Sequence, residues 1–333
     1  MINCPPKHIL ILGTHSCNYG GIQHVAEYVN KLVSENDEFS TTTIIYQPTQ
    51  RLSFYREVRA ALRNADVVVS MHLSLQIALL GTSVPSVQFI HGIELEHHPN
   101  QLTRFLLSKA EILFCSTNFV RDSVVQLMNG SVSVMQALYP SPLFCRDFER
   151  NNNSQKNGIL LVSRLTQSDR YKGVLDVIEI YASESSEDLP DLNIVGDGDD
   201  RDFLESRVNE NSLQDKIRFT GLLSNEELKN AFKSAGGFVL LSTNEGQGLV
   251  YVEALSYGLP VLALKDTVAE ELIEHGKSGF LADKNDRDCI KDYLREMVKK
   301  KEMRVQARKR FEALRITEKF NQKLIYTLNR CAE

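Results

Sequence analysis

The sequence predicts an α/β protein built from two doubly wound parallel-sheet domains. Three observations support this prediction: short apolar runs alternate with helical patterns, a polar segment interrupts the alternation near mid-chain, and the alternation then restarts. Short runs that are rich in Ile and Val and apolar on both faces are typical of buried parallel strands. A chain of 333 residues is also longer than one hydrophobic core usually organises, so two domains are expected.

Six strand-like runs lie in the first half of the chain. They are HILILG (8–13), TTTIIY (41–46), DVVVSM (66–71), SVQFIH (86–91), EILFCS (111–116) and SVSVM (131–135). Between the first two runs, apolar residues at helical spacing predict a helix with one stripe packed on a sheet, formed by Ile22, Val25, Ala26, Val29, Leu32 and Val33.

A polar, Asn-rich segment without periodicity, DFERNNNSQKN (147–157), indicates a linker. Strand-like runs then return at 158–165, 191–196, 216–221, 237–243 and 260–265. One helix among them should begin at Ser224, because Ser224 and Glu227 have the spacing of a capping box. We therefore expect an N-terminal domain over residues 1–150, a linker over 151–157, a C-terminal domain over 158–315, and a C-terminal helix over 316–333 for which a return to the N-terminal domain is one option.

Composition excludes several function classes. The net charge of -5 and the pI near 6.0 give no reason to expect nucleic acid as a partner, because such binding needs clustered cations. No apolar stretch is long enough to span a bilayer, and the apolar run before Thr14 is too short for a signal peptide. The six cysteines are scattered and suit reduced thiols. We therefore expect a cytoplasmic protein.

The segment STNEGQGLVYVEALSYGLPVLA (242–263) carries the most chemical information. A buried strand should end near Thr243, a Gly-x-Gly should turn the chain, and a helix should open near Leu249. The start of a helix offers free amide donors to an anion. Glu245 lies at the mouth of this turn and Glu253 about one helical turn inside, where carboxylates can accept hydrogen bonds from vicinal hydroxyls. Alternatively, the two glutamates only complement a helix N-terminus.

Two cations and one histidine follow other predicted strands. In LLVSRLTQSDRYKGVLDVIE (160–179), Arg164 ends a strand and Lys172 precedes the Gly that starts a helix. Cations at the carboxyl edge of a parallel sheet can neutralise a diphosphate leaving group without a metal. His91 ends the fourth strand, and Gly20 and Gly21 open the first helix, where backbone amides can approach a phosphate.

The decapeptide EGQGLVYVEA (245–254) resembles the Glu-x7-Glu signature of glycosyltransferase family 4, usually E-G-F-G-L-x-x-x-E-A. The resemblance implies a GT-B fold, two Rossmann-like domains that face each other across a cleft, with the acceptor side in the N-terminal domain and the nucleotide-sugar donor in the C-terminal one. It implies that Glu245 contacts the donor sugar and Glu253 the ribose. Backbone amides around Gly246, Gln247, Gly248 and Leu249 then approach the sugar and phosphate, and Gln247 replaces the usual Phe.

The same resemblance assigns roles to further residues. Family members place an Arg and a Lys where Arg164 and Lys172 stand, a Gly-Gly where Gly20 and Gly21 stand, and a His beside the donor sugar, here His91 in the element HGIE (91–94). His91 would donate a hydrogen bond to a sugar hydroxyl. Glu94 and Glu96 are candidates for acceptor or interdomain contacts, with ordinary surface acids as the alternative. A V-G-x-G near the nucleotide corresponds to Gly196 and Gly198, and the segment RFTGLL, from Arg218 to 223, to the backbone that reads the base.

Two cofactor interpretations fail on their residues. NIVGDGDDRDFL (193–204) lacks the third glycine of a dinucleotide fingerprint, because Arg201 stands there. His97, His98 and Glu94 lack further ligands at suitable spacing for a metal. We therefore expect no cofactor and no metal, with the nucleotide sugar as co-substrate.

The function implied by the resemblance is a retaining, metal-independent hexosyltransferase. It would move a sugar from a nucleotide-sugar donor to a hydroxyl of a saccharide or lipid-linked acceptor, in surface polysaccharide or glycoconjugate synthesis. Retention without an evident covalent nucleophile implies front-face displacement, in which the leaving diphosphate helps to take the acceptor proton. The alternatives are a GT-B sugar-nucleotide epimerase or phosphorylase, and a non-catalytic nucleotide-sugar-binding protein.

A basic segment, RLSFYREVRAALRNAD (51–66), suggests peripheral contact with the inner face of a membrane. It combines a basic set, Arg51, Arg56, Arg59 and Arg63, with an apolar set, Leu52, Tyr55, Val58 and Leu62. The alternative is an ordinary surface helix packed on the N-terminal sheet.

Overall fold

The computed structural model describes residues 5–14, 21–95, 99–141, 143–144, 158–183 and 187–333. The chain divides into two compact units. Unit 1 comprises Met1–Pro142 and Arg315–Glu333, and unit 2 comprises Leu143–Leu314.

Unit 1 contains a six-stranded parallel sheet in the order β2-β1-β3-β4-β5-β6. Its strands are β1 Lys7–Thr14, β2 Phe39–Tyr46, β3 Val67–Ser70, β4 Ser86–Ile90, β5 Ile112–Cys115 and β6 Val134–Gln136. The strands β3, β4 and β5 are buried along their whole length, as expected for a sheet covered on both faces. Reversal of the strand order places a topological switch point between β1 and β3.

In the described residues of unit 1, this sheet is accompanied by the helices α1 Gly21–Ser34, α2 Arg51–Ala61, α3 Gln101–Leu107, α4 Asn118–Leu127 and α12 Ile316–Cys331. The stripe predicted on α1 is buried at Val25, Val29 and Val33. Asn100 and Thr117 cap α3 and α4 by accepting backbone N–H bonds, which satisfies donors that the first turn leaves free.

The last helix, α12, completes the hydrophobic core of unit 1. Its Phe320 is fully buried. The ring packs edge-to-face or tilted on four aromatic rings at centroid distances from 5.7 to 6.2 Å, those of Tyr28, Phe89, Phe114 and Tyr139. Because rings in such arrangements attract one another beyond their buried area, this cluster ties the end of the chain to the first unit.

Unit 2 contains a second six-stranded parallel sheet, in the order β12-β11-β10-β7-β8-β9. Its strands are β7 Ile159–Val162, β8 Leu192–Val195, β9 Ile217–Gly221, β10 Gly237–Val239, β11 Val261–Leu264 and β12 Gly279–Ala282. The order reverses between β7 and β10, so the residues that follow these two strands flank a crevice of the kind in which α/β sheets bind ligands.

The helices of unit 2 are α5 Val174–Tyr181, α6 Arg201–Glu210, α7 Asn225–Ser234, α8 Leu249–Ser256, α9 Ala269–Leu272, α10 Arg287–Lys299 and α11 Lys301–Leu314. The capping box predicted at Ser224 and Glu227 is present, with both reciprocal bonds formed. The helix expected near Leu249 begins there. Two parallel sheets, each flanked by helices, confirm the predicted fold class.

The apolar residues of α2 and its C-cap divide between the core of unit 1 and the surface. Val58 and Leu62 lie in the core of unit 1 with Phe54, whereas Leu52 is 82% exposed. The predicted stripe is thus confirmed only at Val58 and Leu62, because Leu52 and Tyr55 are exposed and Phe54 is buried instead. No helix in the described part of the chain is both long and apolar enough to cross a bilayer.

Candidate active site

The loop after β7 carries the first predicted cation of the site. The side chain of Arg164 is about half exposed and forms an ion pair of 2.9 Å with Asp169, which is itself 5% exposed. Asp169 also accepts a 2.7 Å hydrogen bond from the Thr166 hydroxyl. Because a buried carboxylate held at two points has one favoured position, Asp169 fixes the guanidinium of Arg164 at the switch point.

The second predicted cation meets the first predicted glutamate. Lys172 Nζ and Glu245 Oε1 are 2.7 Å apart, and both side chains are 15% exposed. Burial alone would lower the pKa of Lys172, but the neighbouring Glu245 and Tyr171 outweigh it, so its net pKa is raised. The ammonium therefore stays charged where the exits of β7 and β10 meet. Thr243 N–H, which donates to Tyr171 C=O at 3.0 Å, joins the two loops nearby.

A third cation in the loop after β7 is used for structure. Arg170 pairs through two nitrogens with Asp200, at 2.8 and 2.5 Å, and stacks over Phe203 of α6. Asp200 is only 2% exposed. This bidentate contact attaches the loop to α6.

Gly196 and Gly198 allow the exits of β7 and β8 to run side by side. Ser163 N–H donates to Val195 C=O, and Leu165 N–H donates to Asp197 C=O, both at 3.0 Å. A Cβ on Gly196 would overlap the carbonyl oxygen of Ser163, and Gly196 has φ of 143°. The two glycines therefore keep the end of β7, which carries Arg164, against the end of β8.

The Gly-x-Gly segment forms the start of α8. Gly248 has φ of 65° and precedes the first helical residue, Leu249. A Cβ at Gly248 would overlap the ring of Tyr251, whose hydroxyl donates to Leu240 C=O at 3.1 Å. Gln247 is 5% exposed and Gly246 adjoins it. The turn therefore presents the first amides of α8 beside Glu245.

Glu253 lies on α8, one turn after its start, and is 6% exposed. Because so little of Glu253 is exposed, a ligand could contact only a small part of its side chain. Ser256 Oγ donates to the carbonyl oxygen of Glu253 at 2.7 Å.

Arg218 lies apart from the other predicted residues. It is the second residue of β9, near the amino end of the sheet. There it lines an open pocket of about 490 Å³ together with Gly158, which precedes β7, and Leu192, the first residue of β8. The predicted site gathers at the opposite, carboxyl edge. In the RFTGLL segment only the part from Gly221 onward reaches that edge, so Arg218 does not lie with the other predicted residues.

In unit 1, His91 follows β4 and makes a polar contact through its ring. His91 Nε2 is 2.8 Å from the carbonyl oxygen of Met71, and burial lowers the pKa of His91 to about 4. Glu94 turns its carboxylate back to accept from the N–H groups of His91 and Gly92, both at 3.0 Å. Glu94 thus shapes the loop, in addition to any contact with an acceptor.

Some predicted residues fall outside the described part of the chain. They are Gly20, Glu96, His97 and His98. Gly21 is the first residue of α1. Among the described residues no three His, Cys, Asp or Glu side chains are grouped so that they could hold a metal ion.

Sequence reasoning missed the residues that hold the predicted ones in place. Asp169 and Asp200 are buried acids that fix the two arginines of the loop after β7. Asp169 lies five positions after Arg164, a spacing that ordinary surface loops also show, whereas Asp200 lies 30 positions after Arg170 and gave no local signal.

The chain has two doubly wound units, and in unit 2 cations, carboxylates and the first amides of α8 lie at a switch point. These features are typical of one class of protein, the GT-B proteins. Residues 146–313 match the sequence profile of the glycosyl transferases group 1. The chain belongs to this family.

Curated relatives are similar over part of their length. Alpha-monoglucosyldiacylglycerol synthase of Acholeplasma laidlawii is 32% identical over 261 residues, which cover 66% of this chain and 64% of the relative. The enzyme of the same name from Streptococcus pneumoniae is 29% identical over 193 residues, covering 54% of this chain and 43% of the relative. The match thus spans less than two thirds of either relative.

Solved structures share the fold over nearly the whole chain. HepE of Anabaena, in complex with UDP and glucose, superposes with a TM-score of 0.77 at 18% identity, covering 97% of this chain and 100% of that one. Sucrose-phosphate synthase from Thermosynechococcus elongatus gives 0.76 at 16% identity, covering 98% and 100%. At these identities the similarity establishes the GT-B fold and nothing finer.

Proposed function

We propose that this protein is a retaining glycosyltransferase that moves a sugar from a nucleoside diphosphate sugar to a hydroxyl of a saccharide or lipid-linked acceptor. The observation that carries the proposal is the Lys172–Glu245 pair at the switch point of unit 2. In this pair a hydrogen bond joins the Lys172 ammonium, which suits a diphosphate, to the Glu245 carboxylate, which suits sugar hydroxyls. The family match and the relatives that form glucosyldiacylglycerol support it.

In this proposal the residues of unit 2 divide the donor among them. Lys172, Arg164 and the first amides of α8 bind the diphosphate, Glu245 binds the transferred sugar, and Glu253 binds the ribose. The incoming diphosphate competes with Glu245 for Lys172, which frees the carboxylate for hydroxyl groups. Donor binding therefore exchanges one charged hydrogen bond for several.

The chemical step would be a front-face displacement. The bond between the anomeric carbon and the β-phosphate oxygen breaks, a bond from the acceptor oxygen to that carbon forms on the same face, and the acceptor proton passes to the departing phosphate. Lys172 and Arg164 would stabilise the negative charge as it develops. Glu245 and Glu253 act in binding, so the carboxylate separations that separate glycosidase classes do not apply.

A nucleotide-sugar panel tests the proposal. The thermal unfolding of the protein is followed with UDP, GDP, dTDP and their hexose conjugates, because a ligand that binds only the native state raises the melting temperature. We expect one nucleotide series to stabilise the protein and its sugar conjugate to be hydrolysed or transferred with retention, read from the anomeric proton by NMR. Binding without turnover would favour the non-catalytic alternative, and inversion would contradict the mechanism.

Metal independence is a separate part of the proposal. Lys172 and Arg164 supply positive charge that a divalent ion supplies in other transferases. Turnover should therefore persist after EDTA treatment. Loss of activity in EDTA that Mg²⁺ or Mn²⁺ restores would show that a metal shares the task.

We also propose that unit 1 meets an anionic membrane surface through the outer face of α2. Leu52, Arg56, Arg59 and Arg63 follow one another at helical spacing and are exposed, opposite the buried Phe54, Val58 and Leu62. An arginine-rich stripe of this kind attracts anionic headgroups without inserting an apolar face.

Flotation with liposomes tests this contact. The protein should bind vesicles that contain phosphatidylglycerol at low salt, release them at high salt, and ignore phosphatidylcholine vesicles, because screening weakens exposed charge pairs. A variant with Arg56→Gln, Arg59→Gln and Arg63→Gln should lose binding, with Lys229→Gln on α7 as the matched control. No flotation of the wild-type protein at low salt would remove the idea.

A further inference from the structure

Asp169 is an acidic residue beside the two cations of unit 2 that are proposed to bind the diphosphate. It lies in the loop after β7, between Arg164 and Lys172 in the chain. Its side chain is 5% exposed and pairs with Arg164 at 2.9 Å. Burial lowers the pKa of Lys172, but neighbouring groups, Asp169 among them, outweigh it. A carboxylate this close to both cations weakens their attraction for a phosphate.

Each carboxylate oxygen of Asp169 has its own partner. Oδ1 accepts from Nη2 of Arg164 at 2.9 Å, and Oδ2 accepts from the Thr166 hydroxyl at 2.7 Å. The Asp169 N–H also donates to the Thr166 C=O at 2.9 Å. Because backbone and side chain are both joined to Thr166, the carboxylate group has one favoured orientation.

A chain of hydroxyl groups supports this orientation. Thr166 Oγ1 and Ser168 Oγ are 2.9 Å apart. The Thr166 hydroxyl hydrogen is used on Asp169, since a carboxylate only accepts, so the Ser168 hydroxyl donates to Thr166. Hydrogen bonds in such a chain polarise one another, which strengthens the bond from Thr166 to Asp169.

The pairing of Arg164 differs from that of Arg170 in the same loop. Arg170 uses Nε and Nη2 on the two oxygens of Asp200, so its fork is closed on one carboxylate. Arg164 uses Nη2 on Asp169, and its side chain is half exposed. Within the described part of the chain, Nε and Nη1 of Arg164 have no hydrogen-bond partner. A guanidinium held at one nitrogen and open at the others can bind a second anion in a fixed direction.

We propose that Asp169 is a positioning residue for donor binding, which directs the open side of the Arg164 guanidinium at the diphosphate. The inference rests on the proposed glycosyltransferase function. Two effects of the carboxylate oppose each other: its charge repels the diphosphate, and its hydrogen bond orients the cation that attracts it. Orientation outweighs repulsion, because the hydrogen bond acts at 2.9 Å whereas the guanidinium separates Asp169 from the diphosphate.

Two substitutions separate charge from position. Asp169→Asn removes the charge but can keep neutral hydrogen bonds to Arg164 and Thr166, since an amide both accepts and donates. Thr166→Val keeps the charge and removes the hydroxyl that holds it. Calorimetry measures the dissociation constant of the nucleoside diphosphate that best stabilises the wild-type protein. The control is Asp188→Asn, which alters another Arg–Asp pair, with Arg295, at the opposite edge of the sheet.

We expect Asp169→Asn to weaken nucleoside diphosphate binding about five- to tenfold, the usual difference between a charged and a neutral hydrogen bond. Thr166→Val should weaken it about two- to fivefold, and Asp188→Asn should bind as the wild type does. If charge alone mattered, Asp169→Asn would bind more tightly and Thr166→Val would be unchanged. Either of these results would overturn the inference.

Combination with Arg164→Gln distinguishes positioning from damage to the loop. Without a guanidinium to direct, the addition of Asp169→Asn should cause no further loss of affinity. A further loss of the same size as in the single variant would overturn the inference, because Asp169 would then act independently of Arg164. A wild-type protein that binds no nucleoside diphosphate would instead contradict the proposed function.

Discussion

At the scale of single residues, Glu245 and Glu253 differ in position, and their proposed partners differ accordingly. Glu245 lies before α8 in contact with Lys172, whereas Glu253 lies within the helix. Glu253→Gln should weaken both the nucleoside diphosphate and the full donor, because both contain ribose. Glu245→Gln should impair only the full donor. We expect losses of about ten- to a hundredfold in calorimetry, since a charged hydrogen bond is replaced by a neutral one.

Equal loss of nucleoside diphosphate affinity in both variants would contradict this division of roles. Wild-type behaviour in both would contradict the assignment of the motif. Glu226→Gln on α7, an exposed residue paired with Lys229, is the matched control.

The Lys172–Glu245 pair also has a stability consequence. Lys172→Met leaves Glu245 as an unpaired, 85% buried carboxylate, whereas Lys172→Met with Glu245→Gln removes both charges. We expect the single variant to lose about 2 kcal/mol of unfolding free energy, between the values for exposed and fully buried pairs, and the double variant to regain most of it. Urea unfolding measures both against the wild-type protein, and equal stability of the two variants would show that an unpaired Glu245 carries no penalty.

His91 predicts a pH dependence of stability. Burial lowers its pKa in the folded protein to about 4, from an ordinary value of 6.5. The unfolded chain therefore binds more protons between these values, so the contribution of His91 is complete above pH 6.5 and is lost as pH falls towards 4. His91→Gln keeps an amide donor for Met71 and should flatten the urea-unfolding free energy across this window, by at most about 1.4 kcal/mol per pH unit. Parallel pH curves for both proteins would argue against the shift.

At the scale of elements, the exit of β8 determines the position of the loop after β7. Gly196→Ala places a methyl group against Ser163 C=O at a φ that other residues rarely adopt. It should therefore lower the melting temperature and displace Arg164, with reduced donor binding. Gly130→Ala is the matched control, because φ there is 72° and nothing lies within 4 Å of the added Cβ. It should cost only the roughly 1–2 kcal/mol of a left-handed backbone, and equal effects at both sites would exclude a role for the close approach.

Element by element, the sequence predicted what local chemistry controls. Each of the eleven apolar runs given above overlaps a strand, α1 and α8 begin where expected, and the Ser224 capping box forms. The strand β12, GFLA, was missed because a run of four residues is short for a strand, although Gly276 and Ser278 before it mark a turn. Val58 and Leu62 had two interpretations, contact with a membrane or packing on the sheet, because periodicity predicts an apolar stripe but not what packs against it.

The contacts within the candidate site were beyond sequence reasoning for another reason. Lys172 and Glu245 are 73 positions apart, and their pairing depends on the strand order that brings the exits of β7 and β10 together. Arg218 lies near the amino end of β9, away from the other candidates, because a motif gives a segment but not which of its residues stands at the carboxyl edge. Residue type and spacing thus predict candidates, and topology decides which of them meet.

At the scale of the whole molecule, unit 1 depends on a helix that follows unit 2 in the chain. Phe320→Ala should cost about 3–5 kcal/mol, the usual loss for a buried Phe, whereas Tyr326→Ala on the same helix, 58% exposed, should cost little. Hydrogen exchange localises the effect: protection should fall in β4 and β5 and persist in β10 and β11. Equal loss in both units would show that α12 stabilises the molecule in another way.

The return of α12 also sets an order of events during synthesis on the ribosome. Unit 2 is complete once Leu314 has been made. The rings of Phe89, Phe114 and Tyr139, however, cannot pack on Phe320 until α12 has been synthesised. Roughly 170 residues separate the two parts of unit 1, which corresponds to about 10–30 s at typical elongation rates. The second unit can thus fold first, and the nascent first unit is a natural client for chaperones that shield aromatic surfaces.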